Sequence, residues 1–583
     1  MGQSQGQSCQ GCWGFLRPRP EAEMNGPNGL PTAWASPAPQ SPHGISLDSL
    51  MKGPVDSRGA LLSSAGQARI GCRRLNVGRL LDAGLQHGAS PSGSAPFSLE
   101  QFLQSPGGLP SGLAAEERDG ERLCGGLQKD DYSRLAARGA KGQKLRREAL
   151  RGKRLVVFTA GYEGKRFVYE RAKELGVRLV IIESPHSWSR QLLDEGVIES
   201  FVPVDMSLAS EVLYPIVLDL IRGMGPVDGI ATVVELSIAM AARLAEDLGL
   251  PGPMPEAVDQ ARDKQRTRAC LEAAGLPTPR YCRISGVEDL DRAMAVGFPA
   301  VLKPLSGAAS LGVMKVENAE ALRETYLKMV AELRDLVVLS GALVKNDGKP
   351  GAVQAEGVIG TTFLLEQYLD GPEVDIDLVM SDGQWQYAGI TDNGPTLEPY
   401  FNETWAVVPS LLPLEQQRAL RSLAVESVKA LGFFDGVFHV ELRYSPSGPQ
   451  LIEVNARMGG GPVHKLNMES WGVDLVEETL FIALGIPSRP VVAQKPINCI
   501  ASSQVNALRS GILVDHSFLD VLRDFSSVIS VKTYVPVGEK VVGPDTGLPT
   551  WLAEVIVAEP TSQGALDLLL EIEDQIQEKV RIA

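Results

Sequence analysis

Cysteine is scarce in this chain. Seven residues (Cys9, Cys12, Cys72, Cys124, Cys270, Cys282 and Cys499) are scattered over 583 positions. An odd, dispersed set argues against a disulfide framework and for a reduced, intracellular setting. Cys9 and Cys12 form one CxxC with no second pair, too little for a structural zinc site. Long apolar runs are missing too: nothing approaches the roughly eighteen uninterrupted residues of a membrane span, and no charged segment leads into an apolar stretch at the start. The opening MGQSQG carries Gly6 where N-myristoylation wants Ser or Thr. Positive charge is in deficit as well. Lys and Arg total 56 against 71 Asp and Glu, a net −15. Residues 1–150 hold 17 Lys/Arg and 13 Asp/Glu, a net +4, so the remainder carries −19. That acidic body excludes nucleic acid as the main partner, because phosphate backbones need clustered cations. A small anionic ligand in a local basic pocket stays open. The expectation is a cytoplasmic protein, off the membrane, with small-molecule partners.

Gly, Pro and Ser dominate residues 1–150, as in NGPNGLPTAWASPAPQSPHG. Such segments bury too little apolar surface to offset chain entropy, so 1–150 reads as a mostly disordered extension. Its basic run, Arg134 to Arg154, reads as a solvated helix or linker. From 151 the texture is α/β: RLVVFTA and VRLVIIES are buried-strand runs, GKRFVYERAKELG a helix ending at Gly176, DGIATVVE a strand and IAMAARLAEDLGL a helix. Strands alternating with helices imply parallel βαβ units over 151–260. TAGYEG at 159–164 lacks the GxGxxG spacing and reads as a plain strand-to-helix loop. Near Asp263 the pattern turns α+β. AVLKPLSGAASLGVMKV is strand, Gly-rich loop, strand, and FLLEQYLDGPEVDIDLVM gives two strands around a Gly-Pro turn. Lys303 ends its strand beside that Gly-rich loop, a reasonable phosphate grip because glycine lets backbone N–H groups approach an anion. The Walker spacing is absent.

The most informative stretch is GVFHVELRYSPSGPQLIEVNARMGGG, 436–461. Alternate side chains of a strand share a face, so His439, Glu441 and Arg443 point one way and Glu453, Asn455 and Arg457 share a face on the second run. A turn centred on Ser447 sets Glu441 opposite Glu453 and His439 opposite Asn455. Like charges so placed are destabilising. Hard oxygen donors in this number suit Mg²⁺ brought in with nucleotide phosphates, while an exposed hairpin with solvated carboxylates is the plainer alternative.

In order and spacing, Asp263-Lys264 with RTRACLEAAGLPTPRY, VLKP and its Gly-rich loop, EQYLDGPE, Glu441 and EVNAR resemble an ATP-grasp ligase. The likeness spans about 155–583, and DNGPTLEPYFNETWAVVPS at 392–410 is similar to members near the L-amino-acid ligases. The resemblance implies an ATP-grasp fold: a Rossmann-like preATP-grasp domain at 151–260, a catalytic domain at 261–488 and a C-terminal closing domain at 489–583, after the extension. It implies ATP between two small subdomains. Lys264 and Lys303 would meet the phosphates, covered by Ser306, Gly307, Ser310 and Gly312. Glu366 would meet the adenine amine, Gln367, Tyr368 and Leu369 would form the hinge against the base, and Glu373 would accept from the ribose. Glu441, Glu453 and Asn455 would hold two Mg²⁺ (or Mn²⁺) ions. Arg457 would stabilise an acyl phosphate and the tetrahedral species that follows. Glu403 would bind the amino group of the first substrate, and His464 is a weaker candidate contact. The implied reaction activates the carboxylate of β-alanine, or a similar amino acid such as GABA, for attack by the α-amine of L-histidine. Two departures are visible: Ala406 stands where relatives often have His, and Gly461 where some carry a bulky residue. A carboxylase sharing the fold and a catalytically silent nucleotide-binding scaffold remain alternatives, and a homo-oligomer is compatible with any of them.

Overall fold

The structure is a computed structural model that describes residues 129–307, 312–334, 336–339, 342–345, 353–354, 361–544 and 549–583. Most of the expected extension therefore lies outside the described residues. Its last part forms two helices, Lys129–Leu135 and Gly139–Leu150. The second is not a solvated linker. Arg146 is fully buried, donating from Nη1 to the carbonyls of Leu135 and Ala137 at 2.9 and 2.8 Å and lying over the Phe481 ring. The charge that suggested solvation is neutralised locally: Arg147 pairs with Glu477 at 2.5 Å.

A parallel sheet follows, in the order Ser200–Pro203, Arg178–Glu183, Arg154–Phe158, Gly229–Ala231. Its central strands are apolar at Leu155–Phe158 and Leu179–Ile182 because both faces are covered there. Leu155, Val157, Leu179 and Ile181 join one core with helices Arg166–Glu174 and Leu475–Ala483. Val156, Phe158, Val180 and Ile182 join another with helices Ser210–Gly223 and Ile238–Asp247. This is the expected Rossmann-like unit.

Beside a three-stranded sheet of Val353–Gln354, Leu336–Leu339 and Ala342–Lys345 and a two-stranded one of Gly511–Ile512 and Lys540–Val541, two antiparallel sheets position the site. The smaller runs Tyr281–Ile284, Phe363–Gln367, Ala300–Pro304, Met314–Val316. The larger has eight strands: Gly448–Asn455, Gly436–Ser445, Glu373–Ser381, Gln384–Asn393, Trp405–Val408, Cys499–Asn506, Trp551–Glu559 and Val528–Thr533. The pairing of Trp405–Val408 with Cys499–Asn506 carries it across residue 489, so the C-terminal strands extend the same sheet. The helices Leu414–Ala430 and Ser562–Lys579 supply buried side chains to its two main cores.

The two strands around the Gly-Pro turn are not hairpin partners. Phe363–Gln367 belongs to the small sheet and Glu373–Ser381 to the large one, so 368–372 is the crossing between them. Gly371 makes that crossing possible. Its φ is +115°, and a Cβ there would lie 2.1 Å from the Tyr444 carbonyl oxygen. Both the dihedral and the backbone contact exclude a side chain. Gly371→Ala is expected to lower stability by about 3 kcal/mol, read from urea denaturation. An unchanged midpoint would contradict this account of the crossing.

Candidate active site

The opposed carboxylates are present in the expected register, reached by a different route. Glu441 pairs with Glu453 and His439 with Asn455, but the turn closes Ser445 on Gly448 and the register shifts between Glu441 and Leu442. A bulge at Ile452 therefore restores the pairing that a turn centred on Ser447 would have produced. On the other side Asp375 pairs with Glu441 and Asp377 with His439. Asp375, Glu441 and Glu453 thus form one row of carboxylates across three strands. The signal for Asp375 was readable, since EVDID places Glu373, Asp375 and Asp377 on one face.

Protein cations hold part of this row. Lys264 Nζ lies 2.8 Å from Glu453 Oε2. Burial opposes the ionised Glu453, yet Lys264 draws its carboxyl down to about 2. His439 sits between Asp377 (Nδ1–Oδ1 2.9 Å) and Asp375 (Nε2–Oδ2 3.6 Å). Although burial disfavours its charge, the two aspartates raise it to about 10, so the imidazolium persists at neutral pH. Asn467 fixes Asp377 at 2.6 Å and is itself held by Tyr387 at 2.6 Å. Glu441 has no cation of its own among the described residues. Its hydrogen bond comes from Asn455 Nδ2 at 3.1 Å, and burial with Glu453 alongside pushes its carboxyl well above the usual range.

Lys264 reaches this site from the first turn of helix Lys264–Ala273, capped by Asp263, whose Oδ1 accepts from Arg266 N at 3.0 Å. An ammonium at a helix N-terminus opposes the macrodipole, which Glu453 offsets. One turn on, Arg268 is fully buried and clamps Glu366, with Nε to Oε1 at 2.7 Å and Nη2 to Oε2 at 3.1 Å. Lys303 pairs with the same carboxylate. Against the burial that would raise it, these cations pull Glu366 down to about 2. Burial in turn lowers Lys303. The Glu366 side chain, expected at the adenine amine, is therefore engaged by two cations. The i,i+4 spacing of Lys264 and Arg268 puts them on one helix face, a signal that sequence reading passed over.

The hinge residues lie where the sheets meet. Gln367 N donates to Arg280 O at 2.9 Å and Tyr368 N to Pro299 O at 3.2 Å. Glu373 accepts from Arg443 Nε at 2.8 Å, and Arg443 also binds Leu369 O at 3.0 Å. Ser306 Oγ donates to Arg262 O at 3.3 Å, and the Leu305 carbonyl accepts from Lys264 N at 3.2 Å, tying the strand of Lys303 to the helix of Lys264. Gly307 and Gly312 lie beside Pro304. Ser310 lies outside the described residues.

Arg457 follows the carboxylate strand and is held by Glu235 of the Rossmann-like unit at 3.0 Å, with Nη2 donating to Asn455 Oδ1 at 3.2 Å. Glu235, from the turn after the fourth parallel strand, had no sequence signal. Glu403 is an exposed residue whose carboxyl is nonetheless surrounded by protein. The protein around it, with Asp375 near, pushes its carboxyl up to about 7. His464 is not drawn into this set: it stacks on Phe167 at 5.2 Å, with Nδ1 3.8 Å from Asp474.

The donors Glu441, Glu453 and the Asn455 amide oxygen are hard ligands, and Glu441, the carboxylate of the row without a cation among the described residues, lies among them, so the residues fit a magnesium ion. No group of three or more His, Cys, Asp or Glu among the described residues forms a metal cage by itself. Phosphate oxygens and water would complete the coordination. Among the described residues no helix is long and apolar enough to cross a membrane.

Residues 296–465 match the ATP-grasp domain, and 169–252 the ATP-grasp N-terminal domain. The chain is 35% identical to carnosine synthase 1 of Gallus gallus over 381 residues, covering 62% of this chain and 39% of that protein. It is 30% identical to the alanine–anticapsin ligase of Bacillus subtilis, over 44% of this chain and 54% of that one. The chain thus spans two fifths to about half of the length of these relatives. The crystal structure of L-amino acid ligase from Bacillus licheniformis shares the fold, with a TM-score of 0.61 at 24% identity over 74% of this chain and 99% of that one. The two matched domains, the paired antiparallel sheets and the hinge between them carry one conclusion: the chain contains ATP-grasp domains and has the ATP-grasp fold.

Proposed function

We propose that this protein is an ADP-forming carboxylate–amine ligase, joining the carboxylate of β-alanine, or a similar amino acid such as GABA, to the α-amine of L-histidine. The observation that carries the reading is the row of Asp375, Glu441 and Glu453, facing Lys264 and ending at Arg457. Anionic residues flanked by phosphate-grade cations suit a bound triphosphate. The similarity to carnosine synthase 1 supports the choice of amino acids.

Peptide bonds do not form spontaneously from free carboxylates in water, so the acid is first phosphorylated by ATP and the amine then displaces phosphate. Such transfer depends on positioning and on neutralising charge. Lys264 and Lys303 would hold phosphate oxygens once released from Glu453 and Glu366. Glu441, Glu453 and Asn455 would hold magnesium or manganese, two ions in the expected arrangement, which neutralise the phosphates when bound. Arg457, fixed by Glu235, would meet the charge that develops on the acyl oxygen. Glu403 would take the ammonium of the activated amino acid, a charge that would offset the burial and the nearby Asp375 that raise its carboxyl. Glu366 would meet the adenine amine, with Gln367, Tyr368 and Leu369 along the base and Glu373 near the ribose. Ser306, Gly307, Ser310 and Gly312 would close over the phosphates, and His464 would act at most through packing.

ADP release tests the reading. β-Alanine with L-histidine and magnesium-ATP should give ADP, phosphate and a dipeptide of the corresponding mass, with neither amino acid sufficient alone. Release driven by bicarbonate instead would replace the ligase by a carboxylase. ATP binding without amine-dependent ADP for any amino-acid pair would favour the scaffold.

A further inference from the structure

The parallel sheet reverses its strand order between Arg154–Phe158 and Gly229–Ala231. Open sheets of this kind take ligands in the crevice at such a reversal, outside the carboxyl ends of the strands. The segments that leave these two strand ends carry Lys165 and Glu235. Glu235 is engaged by Arg457 and, at 3.8 Å, by Arg262. Lys165 is different. It is only 5% exposed, and its ammonium meets the Tyr162 ring at 5.8 Å but no carboxylate or hydrogen-bond acceptor among the described residues. A Cβ added at Gly460 would lie 3.8 Å from its Nζ, so the ammonium faces the turn 459–461. Burial, with the positive charge of Arg457 adding to it, lowers this lysine to about 7. A desolvated ammonium beside a guanidinium is unfavourable by itself, and an anion at the turn would relieve it.

A second group with an unmet hydrogen bond lies near the same turn. Gln504, on the large sheet, is 5% exposed, and its Oε1 is buried without a donor. A Cβ at Gly461 would lie 3.8 Å from its Nε2, which donates to Glu554 at 3.4 Å. Adjacent glycines thus border a cation lacking an anion and an amide whose oxygen lacks a donor. An α-amino acid presents a carboxylate and an amine to such a pair.

We infer that Lys165 and Gln504 form the subsite for the amine-bearing amino acid, Lys165 taking its carboxylate and Gln504 Oε1 its amine, beside Arg457. The inference rests on the ligase reading and adds a specificity rule: an amino acid is accepted over the amine that lacks its carboxylate. Lys165 binds and positions; the phosphoryl chemistry belongs to the other residues.

Lys165→Met in the full chain tests it. The KM for the amino-acid nucleophile should rise about 10- to 100-fold, with the KM values for ATP and the activated acid unchanged. The decarboxylated amine (histamine, where histidine is the substrate) should react equally poorly with wild type and variant. The thermal midpoint should hold or rise, since an unpaired buried charge has been removed; a purely structural lysine would lower it. A second measurement needs no turnover. Lys165 is labelled with trinitrobenzenesulfonate, read by peptide mass, in the presence of each common L-amino acid and then of the decarboxylated form of any that protects. Shielding by an amino acid and not by its amine supports the subsite. An unchanged KM in the variant, or no shielding by any amino acid, overturns it. Shielding without ADP release from any pair would leave the subsite standing and remove the ligase reading.

Discussion

Glu453→Gln is expected to lower kcat by about 10³-fold or more while the protein still unfolds in a single cooperative step, with stability within about 1 kcal/mol of wild type. The two expectations have separate physical sources. Glu453 is a carboxylate of the row, and a neutral amide cannot supply the charge that holds a magnesium ion against a triphosphate. The fold, by contrast, has a replacement ready. In the ligand-free site Lys264 neutralises Glu453, while Glu441, directly across the ladder, is kept from ionising by burial and by Glu453. Removing the charge at 453 lets Glu441 ionise more readily, and its carboxylate already acts on Lys264. The ammonium then keeps a counter-ion. Steady-state ADP release together with urea denaturation measures both effects. Ordinary turnover in the variant would remove Glu453 from the ion-binding set and, with it, the main physical support for a triphosphate in this cleft.

The row itself was legible because strand alternation is a local property: Glu441 and Glu453 had to share a face once the hairpin was recognised. The bulge at Ile452 was not, because a turn centred on Ser447 and a shorter turn followed by a bulge place the same residues opposite each other. That the two strands around the Gly-Pro turn at 371–372 belong to different sheets was hidden for a related reason. Alternation reveals that a segment is a strand but not which sheet it joins, and the small sheet takes Phe363–Gln367 through its ladders with Tyr281–Ile284 and Ala300–Pro304. The disposition of cations was the least legible part. Lys165 and Glu235 follow separate strands of another domain, and Arg146 looked like one more solvated charge in a basic run. Only the tertiary fold brings such residues to their partners. Glu366 shows the converse limit: the resemblance placed the residue at the adenine amine but gave no hint that Arg268 and Lys303 pair with its carboxylate.

Arg268→Met is expected to destabilise the fold by about 3–5 kcal/mol, the range for breaking a buried ion pair by removing one partner. Arg268 makes three hydrogen bonds that a thioether cannot replace: two to Glu366 and one, at 2.7 Å, to the carbonyl of Ile452. Glu366 would keep Lys303 alone, and the bulge beside Glu453 would lose its anchor, so activity should fall along with stability. The pH dependence distinguishes this from simple loss of packing. Glu366 has a folded-state pKa of about 2, below its ordinary value of about 4.3. Its contribution is therefore present above the ordinary value and is lost as pH falls toward 2. Glu453, held near 2 by Lys264, contributes in the same direction and window. Wild type should thus lose stability steeply between about pH 4.5 and 2, and Arg268→Met should show a shallower slope, because one of the two carboxylates has lost its strongest cation. Adding Glu366→Gln to Arg268→Met should recover part of the loss, since the buried carboxylate left with one partner is then gone and Lys303, already lowered by burial, can shed its proton. Urea midpoints for wild type, Arg268→Met, Glu366→Gln and the double variant at neutral and acid pH measure the coupling. Additive effects with an unchanged acid slope would show that Arg268 stabilises by volume rather than by charge.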